Sequence, residues 1–429
     1  MLKSLFIITT LILLSGCGSS KKSVDENTTT PSNDLKSDIP MLVILLEYKD
    51  IKITSAQKVW SDKIFGNKIS QVNNYYIQAS KNQFKFIKAI ENSATVDDGV
   101  IEIALDKNHP DSDVNDKNFE SNVYPDLKLA LEKADKFIDF SNYDSNADGY
   151  ISNSELLITF IMAGYEDSFE GRHVKHGVWA HQSCMIYDSE IAILDSVTIM
   201  GCKEHGNFAI FGERHNAENP YDATIGVIAH ELAHSAFSLP DLYNTADSME
   251  GGIGIFGLMG AGAWTAVNQE DKPGSTPAHF TAWSKVYNGW VTPQVLSNAT
   301  ATLYETASPN YNVVKIPIDA TTYYLLENRN NSGYDRGLVQ LEGVFSGGVA
   351  IWKIDEKKLT DRYMSTNSVN SDTQNKAVDL VEAKGESIID EQGGGGAEYA
   401  LYYDKNKNSF LDLVDNISSR GTIMTLNIK

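Results

Sequence analysis

Apolar and polar positions follow two different patterns along this chain, and the change between them divides it near residue 299. In the first part, short unbroken apolar runs are separated by segments of helical period. "MLVILLEYKD" (41–50) has the form of a buried strand, "QVNNYYIQAS" (71–80) has helical spacing, and "FKFIKAI" (84–90) and "GVIEIAL" (99–105) read as further strands. The apolar positions of residues 124–140 fall on one helical face, and "LLITFIMAG" (156–164) is another buried-strand pattern. After about Thr300 the pattern becomes one of short β-type runs separated by Gly, Asn, Asp and Ser: "ATLYET", "NVVKIPI", "TYYLLENR", "GGVAIWKID", "EYALYYD" and "TIMTLNI". No fixed-period repeat is present. The expected fold class is α+β, with a mixed sheet and helices over residues 39–298 and a β-rich, sandwich-like domain over 299–429.

The first 38 residues carry a different message. Lys3 precedes the apolar run "LFIITTLILL", too short to span a bilayer but of the length of a signal-peptide core. The run ends in "LSGC", which resembles a bacterial lipobox and implies cleavage before Cys17 and acylation of that cysteine. Residues 1–16 are thus expected to be a lipoprotein signal peptide. Residues 17–38 are almost devoid of apolar side chains and read as a flexible tether. The mature chain would be exported and lipid-anchored to a bacterial membrane.

Composition narrows the partners. With 36 basic against 57 acidic residues and a net charge of −21, the chain lacks the positive surface that nucleic acid or an anionic bilayer would need. The excess of carboxylates suits solubility and Ca²⁺ binding. Once Cys17 is set aside, Cys184 and Cys202 form an even pair in an exported chain, which favours a disulfide over two buried thiols.

The densest chemistry lies in "IGVIAHELAHSAFSLPDLY" (225–243). Residues four apart share one helical face, so His230 and His234 can converge on one ion, with Glu231 beside them. Two imidazoles and one further protein ligand leave a Zn²⁺ position open to water, whose pKa the ion lowers to about 7, and a neighbouring carboxylate can accept its proton. A buried helix with two hydrogen-bonded histidines is the bland alternative, but it has no need of three specified residues at these offsets.

A second motif, "DSNADGYISNSE" (144–155), has the ligand pattern of an EF-hand-type calcium loop. Asp144, Asn146 and Asp148, the Tyr150 carbonyl, Ser152 through water and bidentate Glu155 would supply the oxygens, with Gly149 at the sharp turn. The strand-like run that follows points to an isolated loop without a second helix. "DSDVND" (111–116) and "DKNKNSFLD" (404–412) match the pattern only partly and read as solvated turns.

Together these segments resemble a family. "VNNYYIQASKNQF", "IDFSNYDSNADGYI", "VWAHQ", "HELAHSAFSLPDLY", "FGLMGAGAW", "TPAHFTAWSKVYNGWVTP", "YYLLENRNNSGYDRGL" and "GGVAIWKIDE" stand in the order of similar motifs in the immune inhibitor A-type secreted metalloproteases. The resemblance runs from about Ile39 to about Asp355 and continues more weakly beyond. It implies a zinc endopeptidase supported by calcium, with a metzincin-like core in which a Met-containing turn lies beneath the metal. "FGLMGAGAW", with Met259, best matches that turn.

The third zinc ligand is where the pattern departs. In the metzincin motif a glycine three residues after the second histidine lets the chain turn, and the ligand follows three residues later. Here Phe237 and Pro240 occupy those positions. The first available ligand is Asp241, seven residues after His234, and the family's similar "LPDLY" supports it. Pro240 cannot continue a helix and is expected to enforce the turn. Glu250 and His279 are the rival ligands.

The expected reaction is hydrolysis of protein or peptide substrates at Zn²⁺ held by His230, His234 and Asp241, with Glu231 taking a proton from water and passing it to the leaving amine. Tyr243 and Tyr221 are unranked candidates for stabilising the oxyanion. Two other readings stand beside this one: a zinc hydrolase of non-peptide amides, and a surface adhesin or carbohydrate-binding lipoprotein with a vestigial zinc site. Glu231 discriminates against the last, since a purely structural zinc site needs no unliganded carboxylate beside an open position.

Overall fold

The computed structural model describes residues 38–111, 119–170, 174–187, 189–202, 206–246, 251–268, 271–339, 345–383, 400–404 and 413–429. Cys17, Glu250 and most of the 111–116 and 404–412 segments therefore lie outside the described residues. The first half runs β1 (Ile39–Glu47), α1 (Gln57–Phe65), α2 (Val72–Ala79), β2 (Phe86–Lys88), β3 (Val100–Ala104), α3 (Phe119–Ala134), β4 (Leu157–Glu166) and α4 (Asp167–Glu170). There follow β5 (Gly177–Val178), β6 (His181–Ser183), a hairpin of β7 (Ala192–Leu194) with β8 (Val197–Ile199), then β9 (Phe208–His215), β10 (Tyr221–Asp222) and α5 (Ile225–Phe237).

The main sheet has the order β10-β9-β4-β1-β2, with β3 also pairing β1, and it is mixed. β9, β4, β1 and β2 are parallel neighbours, whereas β10 and β6 run antiparallel to β9. Its central strands are mostly apolar, with charged residues toward the ends of β1, β4 and β9, because both faces are covered, and the period of two assigns each residue a side. On β1, Met41, Val43 and Leu45 join one core while Leu42, Ile44 and Leu46 join another. α5 fills the first core with Ile225, Ile228, Leu232 and Phe237; α3 fills the second with Leu127 and Leu131.

α3 begins at Phe119 and ends at Ala134, earlier at both ends than the 124–140 periodicity predicts, and it carries Pro125 inside. The apolar positions beyond Ala134 fall in and between short 3-10 turns at Asp135–Phe137 and Phe140–Tyr143, where Ile138 and Phe140 are buried without the α-helical bonds.

The second half contains α6 (Ala282–Tyr287), β11 (Gln294–Val295), β12 (Ala299–Tyr304), β13 (Val314–Pro317), β14 (Thr322–Arg329), β15 (Gly348–Asp355), α7 (Asp361–Met364), β16 (Val378–Leu380), β17 (Val414–Asp415) and β18 (Ile423–Ile428). They form a five-stranded sheet, β11-β13-β14-β15-β16, and a three-stranded one, β12-β18-β17. Leu303, Leu326, Ile351, Met424 and Leu426 from both sheets make one core, giving a sandwich-like arrangement. "EYALYYD" is no strand: among its described residues only Tyr402 pairs, in an isolated bridge with Val349. The β-type side chains there are recruited for burial, since Leu401 and Tyr402 are both fully covered.

The five-stranded sheet is also buried on its other face. Leu325, Trp352 and Ile354 join the core that holds α5, so one apolar cluster runs from the main sheet into the β-rich part.

Candidate metal centre

Every residue of α5 is buried, so its polar side chains are held among apolar neighbours. The sequence supports such a helix: Thr224 enters in extended geometry, and Ile225, Val227, Ile228, Leu232 and Phe237 cover the remaining faces. Gly226 lets the helix approach another segment, because a Cβ there would meet the Ala263 carbonyl oxygen at 1.8 Å.

The helix ends at Ser238, which adopts the left-handed conformation at φ 55° and donates its N–H to the His234 carbonyl at 2.9 Å. The turn expected from Pro240 is thus already made two residues earlier, by a non-glycine residue in the conformation glycine usually supplies. It brings Asp241 back under the helix.

There His230, His234 and Asp241 meet, all three buried, with their donor atoms within 4.8 Å of one another. His230 Nε2 stands 2.9 Å and His234 Nε2 3.2 Å from Asp241 Oδ1, and the two Nε2 atoms are 3.1 Å apart. The opposite ring nitrogens set the tautomers. His230 Nδ1 donates to the Leu258 carbonyl at 2.9 Å and His234 Nδ1 to the Leu239 carbonyl at 2.5 Å. In neutral imidazoles this leaves both Nε2 lone pairs facing the carboxylate. Asp241 Oδ1 is buried and has no hydrogen-bond partner.

Two lone pairs and a carboxylate oxygen at these separations require a positive charge between them, either a proton or a cation. Electrostatics agree. Burial opposes ionisation of Asp241, yet the two imidazoles hold its carboxyl far below the usual range. Burial also opposes the charge on His234, but Asp241 raises it above its ordinary value. The donor set, two nitrogens and an oxygen, is one that suits Zn²⁺.

Glu231 is next to this cluster in sequence and buried with it, and its Oε2 has no hydrogen-bond partner. Burial pushes its carboxyl up to about 8, with His230 opposing and Asp241 and Glu166 adding. Tyr76, on α2, donates its hydroxyl to the Ala229 carbonyl at 2.6 Å and so ties a second helix to this turn of α5.

Met259 is buried in the same core, and its carbonyl accepts the Leu242 N–H at 2.8 Å, one residue past Asp241. The segment thus supports the centre twice through its backbone, at Leu258 and Met259. The rival ligand His279 lies elsewhere: its ring stacks near Tyr75 at 6.2 Å, and its backbone N–H goes to Asp335. The Tyr243 ring lies parallel to that of His230, 6.4 Å away, while Tyr221 groups with Phe169 and His215.

In the 144–155 loop the carboxylates bind the loop's own backbone. Asp144 accepts the N–H groups of Asp148 and Gly149, and Glu155 those of Ser145 and Ser152. Gly149 takes φ 82° at the sharp turn. The loop also reaches the metal helix, since the Asn153 and Asn207 side chains both donate to the Ser235 carbonyl, one of the last four that a helix cannot satisfy itself. Cys184 and Cys202 are joined in a disulfide, 18 residues apart, around the β7–β8 hairpin. Sequence reasoning did not find Asn153, Asn207 or Asn367, the last of which bonds Asp241; an asparagine in a polar stretch carries no pattern to mark it.

A buried His-His-Asp cluster with an adjoining acid, its histidines on a helix against a mixed sheet, is a group that could hold a metal ion. The model of the immune inhibitor A peptidase M6 catalytic domain matches residues 36–291, and the chain belongs to that family. It is a metal-dependent peptidase. No curated protein matches it.

Proposed function

We propose that this protein is a zinc endopeptidase, exported and lipid-anchored through Cys17, that hydrolyses protein or peptide substrates with Glu231 as its proton carrier. The observation that carries the reading is the convergence of the buried His230 Nε2, His234 Nε2 and Asp241 Oδ1 within 4.8 Å of one another. These three residues would hold the ion. When bound, zinc supplies Lewis acidity, which polarises a scissile carbonyl and lowers the pKa of water to about 7.

The chain's own residues do the rest. Leu258 and Leu239 orient the imidazoles through their carbonyls, and the enclosing core keeps bulk water out. Burial alone would keep Glu231 protonated near neutrality, but the positive charge of an ion bound beside it would favour the carboxylate, and its unpartnered oxygen would then take a proton from the attacking water and give it to the departing amine. Asp144, Asn146, Asp148, Tyr150, Ser152 and Glu155 would bind Ca²⁺, a reading supported by their spacing and by the conformation of Gly149. Export is supported by the apolar leader, the "LSGC" sequence and the disulfide, which suits an oxidising compartment.

The test is zinc content together with casein cleavage for wild type and Glu231→Gln. About one zinc is expected in both proteins. The variant should lose about 10²- to 10⁴-fold in kcat/KM. Activity within a few-fold of wild type would overturn the role given to Glu231.

A further inference from the structure

The carboxylate facing the histidines is itself held from a distant part of the chain. Asn367, 126 residues after Asp241, accepts the Asp241 backbone N–H on its Oδ1 at 2.8 Å, and its Nδ2 donates to Asp241 Oδ2. One side chain thereby fixes both the backbone and the outer oxygen of the same residue, leaving Oδ1 to face His230 and His234. Asn367 is held in turn. It takes the left-handed conformation at φ 49°, and its carbonyl accepts the Thr245 hydroxyl at 2.7 Å. Nearby, buried Asn370 donates to the Leu242 carbonyl at 3.0 Å, and Ser371 meets Thr245 Oγ1 at 2.7 Å. Residues 367–371 thus form a strap, attached between β15 and β16, across the segment that carries the third donor.

From this geometry we infer that Asn367 is a positioning residue for the metal centre. It sets the rotamer of Asp241, so that the β-rich part of the chain completes a site whose other donors come from α5. An Asp side chain has two oxygens that can exchange by rotation about its Cβ–Cγ bond. The Nδ2 donor selects one of them for hydrogen bonding and presents the other to the ion. Lacking that donor, Asp241 would pay for ligation by freezing its own torsions, and affinity for the ion would fall.

The inference rests on the assignment of Asp241 as a ligand, and the experiment separates the two. Asn367→Gly is the informative variant, because glycine keeps the φ 49° backbone without strain and removes only the side chain. Zn²⁺ affinity is measured by chelator competition on the full chain for wild type, Asn367→Gly, Asp241→Ala and the double variant. Thermal melting of the metal-free proteins serves as the folding control.

Asn367→Gly should weaken Zn²⁺ binding by about 10- to 100-fold, as loss of a ligand's hydrogen-bond partner typically does. In the Asp241→Ala background the same change should weaken it no further, since its effect passes through the absent carboxylate. Wild-type affinity in Asn367→Gly, or an equal loss in both backgrounds, would overturn the inference while leaving Asp241 a ligand. Wild-type affinity in Asp241→Ala would instead overturn the ligand assignment. Should Asn367→Gly melt far below wild type, Asn367→Asp, which tolerates the left-handed backbone and keeps the oxygen that accepts the Asp241 N–H while removing the Nδ2 donor, replaces it in the same cycle and is read the same way.

Discussion

His215 is fully buried, stacks on Phe169 at 4.6 Å between ring centroids, and has no hydrogen-bond partner on either ring nitrogen. Burial, with Lys63 and Lys272 adding, lowers its pKa to about 3. Burial likewise takes His181 and His109 down to about 4. In the unfolded chain each would titrate near 6.5, so below that value the unfolded state binds protons that the native state refuses. The stability these residues contribute is complete above about pH 6.5 and is lost, at about 1.4 kcal/mol per pH unit for each, as the pH falls toward 4 for His181 and His109 and toward 3 for His215. His215→Phe keeps the stacking and removes one titration. Its stability relative to wild type should rise by about 2 kcal/mol between neutrality and pH 5, over any constant gain from removing the two unpartnered nitrogens. Identical acid limbs for the two proteins would refute this. At this scale the sequence was legible where chemistry imposes spacing, as with the two histidines and the acid between them. It was silent on His215, because an unpaired core histidine leaves no trace in the surrounding letters.

The approach of α5 to the 3-10 turn at Ala261–Trp264 depends on Gly226. A methyl group there would run into the Ala263 carbonyl oxygen and come within 3.0 Å of the Gly274 Cα. Alanine is the better helix former by up to about 1 kcal/mol. The clash outweighs it, because the obstacle is backbone and the helix is packed on all sides. Gly226→Ala should therefore destabilise the protein by about 1–3 kcal/mol in denaturant titrations. A midpoint equal to or above wild type would show that the loop yields. The proposed calcium loop bears on the same helix through Asn153. Removing calcium should lower the melting temperature and hasten self-digestion, and a melt indifferent to calcium would count against that loop. Elements buried on both faces, such as β1, β4 and β15, were readable as apolar runs. The bounds of α3 were not, because buried apolar positions continue past the end of the helix in and between 3-10 turns.

Across the whole molecule, the β-rich part is clamped to the rest by buried charge. Arg329 on β14 binds Asp335 through Nε at 2.7 Å and the Phe256 carbonyl through Nη1 at 2.6 Å. Glu327 on the same strand accepts from Lys285 of α6 at 3.1 Å and from the Ala282 N–H at 3.1 Å. All four charged groups are buried, two of each sign, and the apolar cluster around them is shared by both parts. Arg329→Met leaves Asp335 without its counter-charge and should cost about 3–5 kcal/mol. Calorimetry should accordingly show one cooperative transition for the wild type; two resolved transitions would show that the parts melt separately. The change of pattern near residue 299 was visible in the sequence, whereas this junction was not. Its contacts between the parts join Glu327 to Lys285 and Ala282 and Arg329 to the Phe256 carbonyl, across 42 to 73 residues of chain, and no local pattern marks them.

The serine that closes α5 has a consequence for how relatives of this protein are to be found. What the exit from the helix demands is a positive φ within reach of the second histidine, and Ser238 meets that demand at 55°, one residue later than the glycine of the metzincin pattern and with the aspartate again three residues on. A search pattern anchored on a glycine at a fixed offset would pass over such a chain. One written for the two histidines, the acid between them and an aspartate at variable distance would recover it.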